Sequence, residues 1–244
     1  MKFPVSSLFA FFSSCSVFLS IPVARAQGSP ACPPVVSRQA WGARTPKSDI
    51  SKWADYGLEK PVYTDVVLHV TAMGRGRGVE EAKRIQNKQM DDLGFSDIAY
   101  NFLIDEDGTI FEGRLLSFVP GHAGQTEEGN RSADIRLDPD YGAIGISFSS
   151  GSSDQLTRGQ IDSAKALIRF WKGHPKFNIQ NVYTHAEVKA RMSDRGLHPL
   201  GEYNVHVCPG EGALEDLVQL RRDLKTEFGI PFDEKEYRKL YESK

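Results

Sequence analysis

Cysteine is scarce in this sequence, with three in 244 residues, and that is too few for a fold built on disulfides. Basic residues are not in excess. Thirty Lys+Arg face 32 Asp+Glu for a formal charge of -2, which gives none of the clustered positive surface that nucleic acid requires. Beyond the N-terminus there is no apolar run long enough to cross a bilayer, and there is no internal repeat or low-complexity tract. What remains is an ordinary globular composition, 40% hydrophobic and 25% charged, over a length that supports one domain with a substantial core.

The N-terminus narrows the compartment. Lys2 precedes an apolar, Phe-rich run from Val5 to Val23, and Ala24-Arg25-Ala26 puts small residues where signal peptidase cuts. Residues 1–26 therefore read as a secretory signal and 27–34 as an extended leader. Loss of residues 1–26 removes Lys2, Arg25 and no acid, leaving 28 bases against 32 acids and a charge of -4. The expected location is secreted or periplasmic, with no membrane attachment after cleavage. Cys15 leaves with the signal, so Cys32 and Cys208 remain. They either pair with each other, or one is a ligand and the other is spare.

Hydropathy patterning places strands and helices in alternation. Asp65–Val70 is a β-branched apolar run with one histidine inside it, and Val79–Leu93 carries its apolar residues on one helical arc before Gly94. Ala99–Ile104 and Thr109–Glu112 flank an Asp-Gly turn and predict a hairpin. Residues 120–142 read as a long loop and Ala143–Phe148 as a strand. Thr157 and Gln160 form a capping box ahead of a helix that stops at Gly173. Asn181–Thr184 predicts a short strand, 189–207 an irregular insertion, and Leu214–Leu224 a final amphipathic helix before a charged tail, 231–244. The expected fold is a single α/β domain with a central mixed sheet flanked by helices.

Six histidines and Cys208 are the residues with the clearest chemistry. Two imidazoles and a thiolate can make a tetrahedral zinc site with one position open, the arrangement of catalytic rather than closed structural zinc. His69, His185 and Cys208 are such a set, but their separations fit no local metal motif. By residue type alone, His69 also reads as a core histidine with its ring hydrogen-bonded.

The order of short motifs adds to that reading. Ser37–Arg44, His69-Val70-Thr71-Ala72, Asp97–Ile104, Asp107-Gly108 with Glu112-Gly113-Arg114, Ile144–Phe148, His185 and Cys208-Pro209-Gly210 follow one another along the chain. Together they resemble the peptidoglycan recognition protein and type 2 N-acetylmuramoyl-L-alanine amidase family, over about residues 35–220. The resemblance implies a domain over 35–230 with one Zn2+ in a surface groove, held by His69, His185 and Cys208. It implies catalytic roles for Tyr100, and for His206 where relatives carry Lys or Thr. His122, Thr71, Asn101 and Arg114 would contact a peptidoglycan or muropeptide substrate. The implied reaction is hydrolysis of the amide between N-acetylmuramic acid and L-alanine, with zinc polarising the carbonyl and acidifying water.

The chain departs from the family in several places. Val70 stands where recognition proteins usually carry a second histidine, Ala186 replaces an arginine, and Ser147 stands where one amidase branch has a glutamate. The disulfide found near the first helix of recognition proteins has no cysteines here. Asp194 and His198 fall in the insertion, at the expected rim. Two other readings compete: a muropeptide-binding module that does not cut, and a cysteine hydrolase with Cys208 as nucleophile and His185 or His206 as base.

Overall fold

The computed structural model describes residues 30–58, 61–124, 135–196 and 207–242; the signal segment, His198 and His206 lie outside them. Six strands form one mixed sheet: β1 Val35–Val36, β2 Tyr63–Val70, β3 Phe102–Ile104, β4 Ile110–Glu112, β5 Ala143–Phe148 and β6 Phe177–Thr184. Their order is β1-β4-β3-β5-β2-β6. Strands β3, β5, β2 and β6 are mutually parallel, while β4 runs antiparallel to β3 and parallel to β1. The β3–β4 hairpin turns at Gly108, whose φ of 87° is one that a side chain disfavours. Asp105 closes the turn by accepting from the Asp107 and Thr109 amides.

Strands β3 and β5 and the second half of β2 are buried on both faces, as cover by helices on each side requires. On one face Val66, Leu68, Val70, Ile144, Ile146 and Phe148 pack against α3 (Arg158–Lys172) and α5 (Leu214–Phe228). Helix α3 starts at the expected box, Thr157 accepting from the Gln160 amide and Gln160 from that of Thr157. The opposite face is divided. The short α1 (Arg38–Trp41) and α2 (Gly78–Asn87) cover its β3–β4 half through Trp41, Ala82, Ile85, Leu103 and Phe111. Over β2 and β5, Val67 and Ala143 meet Val188 and Met192 of α4 (His185–Asp194).

Several expectations are corrected. The arc expected over Val79–Leu93 is α-helical to Asn87 and π-helical over Lys88–Asp92, and its last apolar residue, Leu93, is 56% exposed. The first part of the expected 189–207 insertion is helix α4, capped by Thr184 and Glu187 and carrying Asp194, exposed, at its end. Alternation fails as a guide here because the helix begins directly at the strand end, with no loop signal between them. The charged tail is helix α6 (Glu234–Glu242), whose Tyr237 is buried against Val218 and Phe232. The Cys208 thiol is not in a disulfide, so the pairing of Cys32 with Cys208 is not realised. Among the described residues no helix is long and apolar enough to cross a membrane.

Candidate metal centre

Open α/β sheets bind ligands at the carboxyl ends of their parallel strands, and there β2 and β6 bring two histidines together. Leu68 of β2 pairs with Thr184 of β6. The next residue on each strand is therefore a histidine, His69 still within β2 and His185 opening α4. Their ring centroids are 5.0 Å apart. Cys208 arrives on the segment before α5, where its carbonyl accepts from the Ala186 amide at 2.9 Å, and its Sγ lies 3.8 Å from His69 Nδ1.

The ligand atoms of His69, His185 and Cys208 all lie within 4.8 Å of one another. Ligand bonds of about 2.0–2.3 Å to a tetrahedral zinc put donor atoms about 3.6 Å apart, so the cysteine–histidine spacing already fits. A second observation supports the fit: His185 Nε2 is buried with no hydrogen-bond partner among the described residues. A buried ring nitrogen without a partner is costly, and a cation held among the three donors would satisfy it.

Electrostatics point the same way. Burial, then the charges of His185, His122 and Lys189, hold His69 well below the ordinary imidazole range. Burial and Lys189 push His185 down to about 4, against a hydrogen bond to the Ala123 backbone that acts the other way. Both rings are therefore neutral at pH 7, the state that ligates. Burial pushes the Cys208 thiol up to about 11, opposed by the Val70 backbone and by Lys189. A thiolate at neutral pH thus requires a cation in contact with the sulfur.

Tyr100 stands beside this group, its ring centroid 5.3 Å from that of His69. Burial, then the Cys208 charge, raises its pKa, so the phenol keeps its proton and acts as a donor. Thr71, half-buried just past β2, donates to the Ser150 carbonyl at 3.3 Å. Asn101 and Arg114, expected to touch substrate, are employed inside the protein. Asn101, 1% exposed, donates to the Arg114 carbonyl and accepts from the Gly145 amide. Arg114 donates to the carbonyls of Ile98, Val119 and Asp97 at 2.8–3.0 Å. The Glu-Gly-Arg motif is thus a clamp on the chain leading into Tyr100.

His122, expected to line a groove, is buried behind His69. Its Nδ1 lies 3.2 Å from His69 Nε2 and 3.1 Å from Asp140 Oδ1, so His122 and Asp140 back the His69 ring. Gly145 makes room for it, because a Cβ there would meet the His122 ring at 2.3 Å. A glycine inside an apolar strand signals such a close approach and could have located the His122 ring from sequence. Lys189 was also missed. It lies one helical turn beyond His185, and its charge acts on His69, His185 and Cys208. A cavity of about 580 Å³ opens beside the His122 segment, lined by Tyr56, Phe95, Arg114, Gly121 and Ile135 among others; His69, His185 and Cys208 do not line it.

Burial raises the carboxyl pKa of both Asp138 and Asp140, Asp138 to about 7, and at Asp140 the charge of Asp138 adds to the effect. A carboxyl raised in the folded state stabilises the fold in full below its unfolded pKa near 4. That contribution is lost as pH rises to about 7. The Asp138 contribution therefore falls across pH 4–7, against a rise from the depressed His69, His122 and His185, and in urea titrations stability should climb more steeply with pH in Asp138→Asn than in wild type. A slope unchanged in the variant contradicts this assignment.

Fold and site together define a single α/β domain carrying a His–His–Cys constellation with the geometry of a metal centre. The family model described as N-acetylmuramoyl-L-alanine amidase matches residues 59–211, and the chain belongs to that family. It is 30% identical over 165 residues to peptidoglycan-recognition protein 1 of Holotrichia diomphalia, covering 65% of this chain and 74% of the relative. It is 33% identical over 141 residues to peptidoglycan-recognition protein SC2 of Drosophila simulans, covering 55% of this chain and 65%, just under two thirds, of that relative. The fold also resembles the solved endolysin N-acetylmuramoyl-L-alanine amidase LysCS of Clostridium intestinale. There the TM-score is 0.53 at 22% identity, over 81% of this chain and 99% of that one.

Proposed function

We propose that this protein is a secreted zinc-dependent N-acetylmuramoyl-L-alanine amidase that cleaves the amide between N-acetylmuramic acid and the L-alanine of the stem peptide. One observation carries the reading: the donors of His69, His185 and Cys208 lie within 4.8 Å of one another. Bound there, zinc supplies a Lewis acid that polarises the scissile carbonyl and activates water near neutral pH.

This chain's residues do the rest. Tyr100, protonated through burial, donates from its hydroxyl to the carbonyl oxygen as negative charge develops on it. His206, two residues before Cys208, protonates the departing alanine nitrogen. Lys189 adds positive charge beside the site. His122 and Asp140 fix the His69 ring, and Thr71 remains a candidate rim contact. Secretion rests on the N-terminal signal pattern.

The cysteine-hydrolase reading requires a thiol with a lowered pKa, whereas burial pushes Cys208 upward. The test is peptide release from purified peptidoglycan by protein carrying about one zinc per chain. EDTA should stop release and added zinc should restore it. Full zinc loading without release would leave a muropeptide-binding module. Activity that survives EDTA but not thiol alkylation would establish the cysteine route.

A further inference from the structure

Helices α5 and α6 follow the stretch that matches the family, residues 59–211, yet they contact both ligand-bearing segments. Helix α6 is seated by Tyr237 and Phe232 against Val218, with Leu214, Leu240 and Tyr241 around them. Two chains of contact lead from this seat to the metal centre. In the first, the Tyr241 hydroxyl donates to the carbonyl of Pro209, the residue after Cys208, at 2.8 Å. The Tyr237 hydroxyl lies 3.0 Å from that of Tyr241.

The second chain runs through Arg221 of α5. Its guanidinium lies over the rings of Phe232 and Tyr237, 4.1 and 5.1 Å from their centroids. It donates to Glu187 Oε2 at 2.7 Å, with the two side chains only 3% and 15% exposed. The same carboxylate oxygen accepts from the amide and hydroxyl of Thr184, the residue before His185. The hydrogen bond from Ala186 to the Cys208 carbonyl joins the two chains.

Docking a short amphipathic helix needs apolar contact alone. A tyrosine hydroxyl delivered to the carbonyl beside one ligand, and a buried ion pair ending on the cap beside another, do something more specific. We propose that the C-terminal helix is a brace for the metal centre, in which Tyr241 positions Cys208 and the Arg221–Glu187 pair positions His185. These are positioning residues that act through the backbone. The proposal rests on reading His69, His185 and Cys208 as a metal site.

The test uses the full-length protein and two readouts: zinc affinity by chelator competition, and the thiolate-to-metal absorption of the Co2+-substituted form. Tyr241→Phe deletes one hydroxyl and keeps the ring; Glu187→Gln keeps a capping oxygen and removes the charge. Each should weaken zinc binding about 10–100-fold, the usual effect of losing an outer partner of a metal ligand. Each should also alter the cobalt–thiolate band, while the metal-free Tyr241→Phe protein melts as wild type does. Lys239→Ala, on the same helix and paired with Glu236 on its exposed side, should leave both readouts unchanged. Wild-type affinity and spectrum in both positioning variants would overturn the brace. So would an equal loss in Lys239→Ala, which would indicate general loosening of the helix. A wild-type protein that binds no zinc overturns the metal-site reading and the brace with it, whereas tight wild-type binding with unaffected variants overturns the brace alone.

Discussion

Cys208→Ser should lose its metal and with it all amide hydrolysis, the largest functional effect expected of any single substitution here. Serine keeps the side chain's size but offers a hydroxyl that stays protonated, so the third donor of the set disappears. The loss of affinity should exceed the roughly 10–100-fold that follows removal of an outer partner. Zinc content after dialysis and peptide release from peptidoglycan measure the two halves of the expectation. Because Cys208 Sγ makes few other polar contacts, among them a 4.0 Å approach to the Val70 carbonyl, the metal-free variant should fold as the metal-free wild type does. A Cys208→Ser protein that keeps a full equivalent of zinc would remove the residue from the site.

Arg114→Ala should produce the largest loss of stability. The side chain is 7% exposed and its three nitrogens each hold a backbone carbonyl. Truncation leaves those carbonyls buried and unpaired and opens a cavity, for a cost of about 3–5 kcal/mol. That is a large part of the roughly 5–15 kcal/mol available to a native domain. Two of the carbonyls, of Asp97 and Ile98, belong to the segment that ends in Tyr100, so surviving folded protein should also turn over slowly. Arg114→Lys should recover little, because an ammonium lacks the planar fork that reaches three acceptors. Urea unfolding measures the effect. Wild-type stability with a raised KM would return Arg114 to the role of substrate contact.

Much of this was legible in the sequence because it is written locally. The apolar runs of β2 and β5 and the capping box of α3 each rest on neighbours a few residues apart. The ligand set was legible only through the order of motifs, since nothing in the spacing of His69, His185 and Cys208 brings them together. That convergence is a property of strand pairing. What stayed hidden depends on pairings across the fold. Glu-Gly-Arg gives no sign that Arg114 points inward to three carbonyls, and Asp140 gives none that it backs His122. Helix α4 was obscured because it starts at the strand end without a Gly or Pro between. The polar face of α6 masked the two tyrosines, Tyr237 and Tyr241, that anchor it.

The distance along the chain between the two histidines also governs how the protein matures. His69 and His185 are 116 residues apart in sequence and meet only once β2 and β6 lie side by side. Contacts of such high sequence separation form late, because loop-closure entropy opposes them until the intervening sheet exists. A short zinc module can use its metal to nucleate folding; this chain cannot, since its unfolded form never presents the three donors together. On the zinc reading proposed above, metal capture follows completion of the sheet, and a bound ion would mark molecules in which β2 and β6 are already paired.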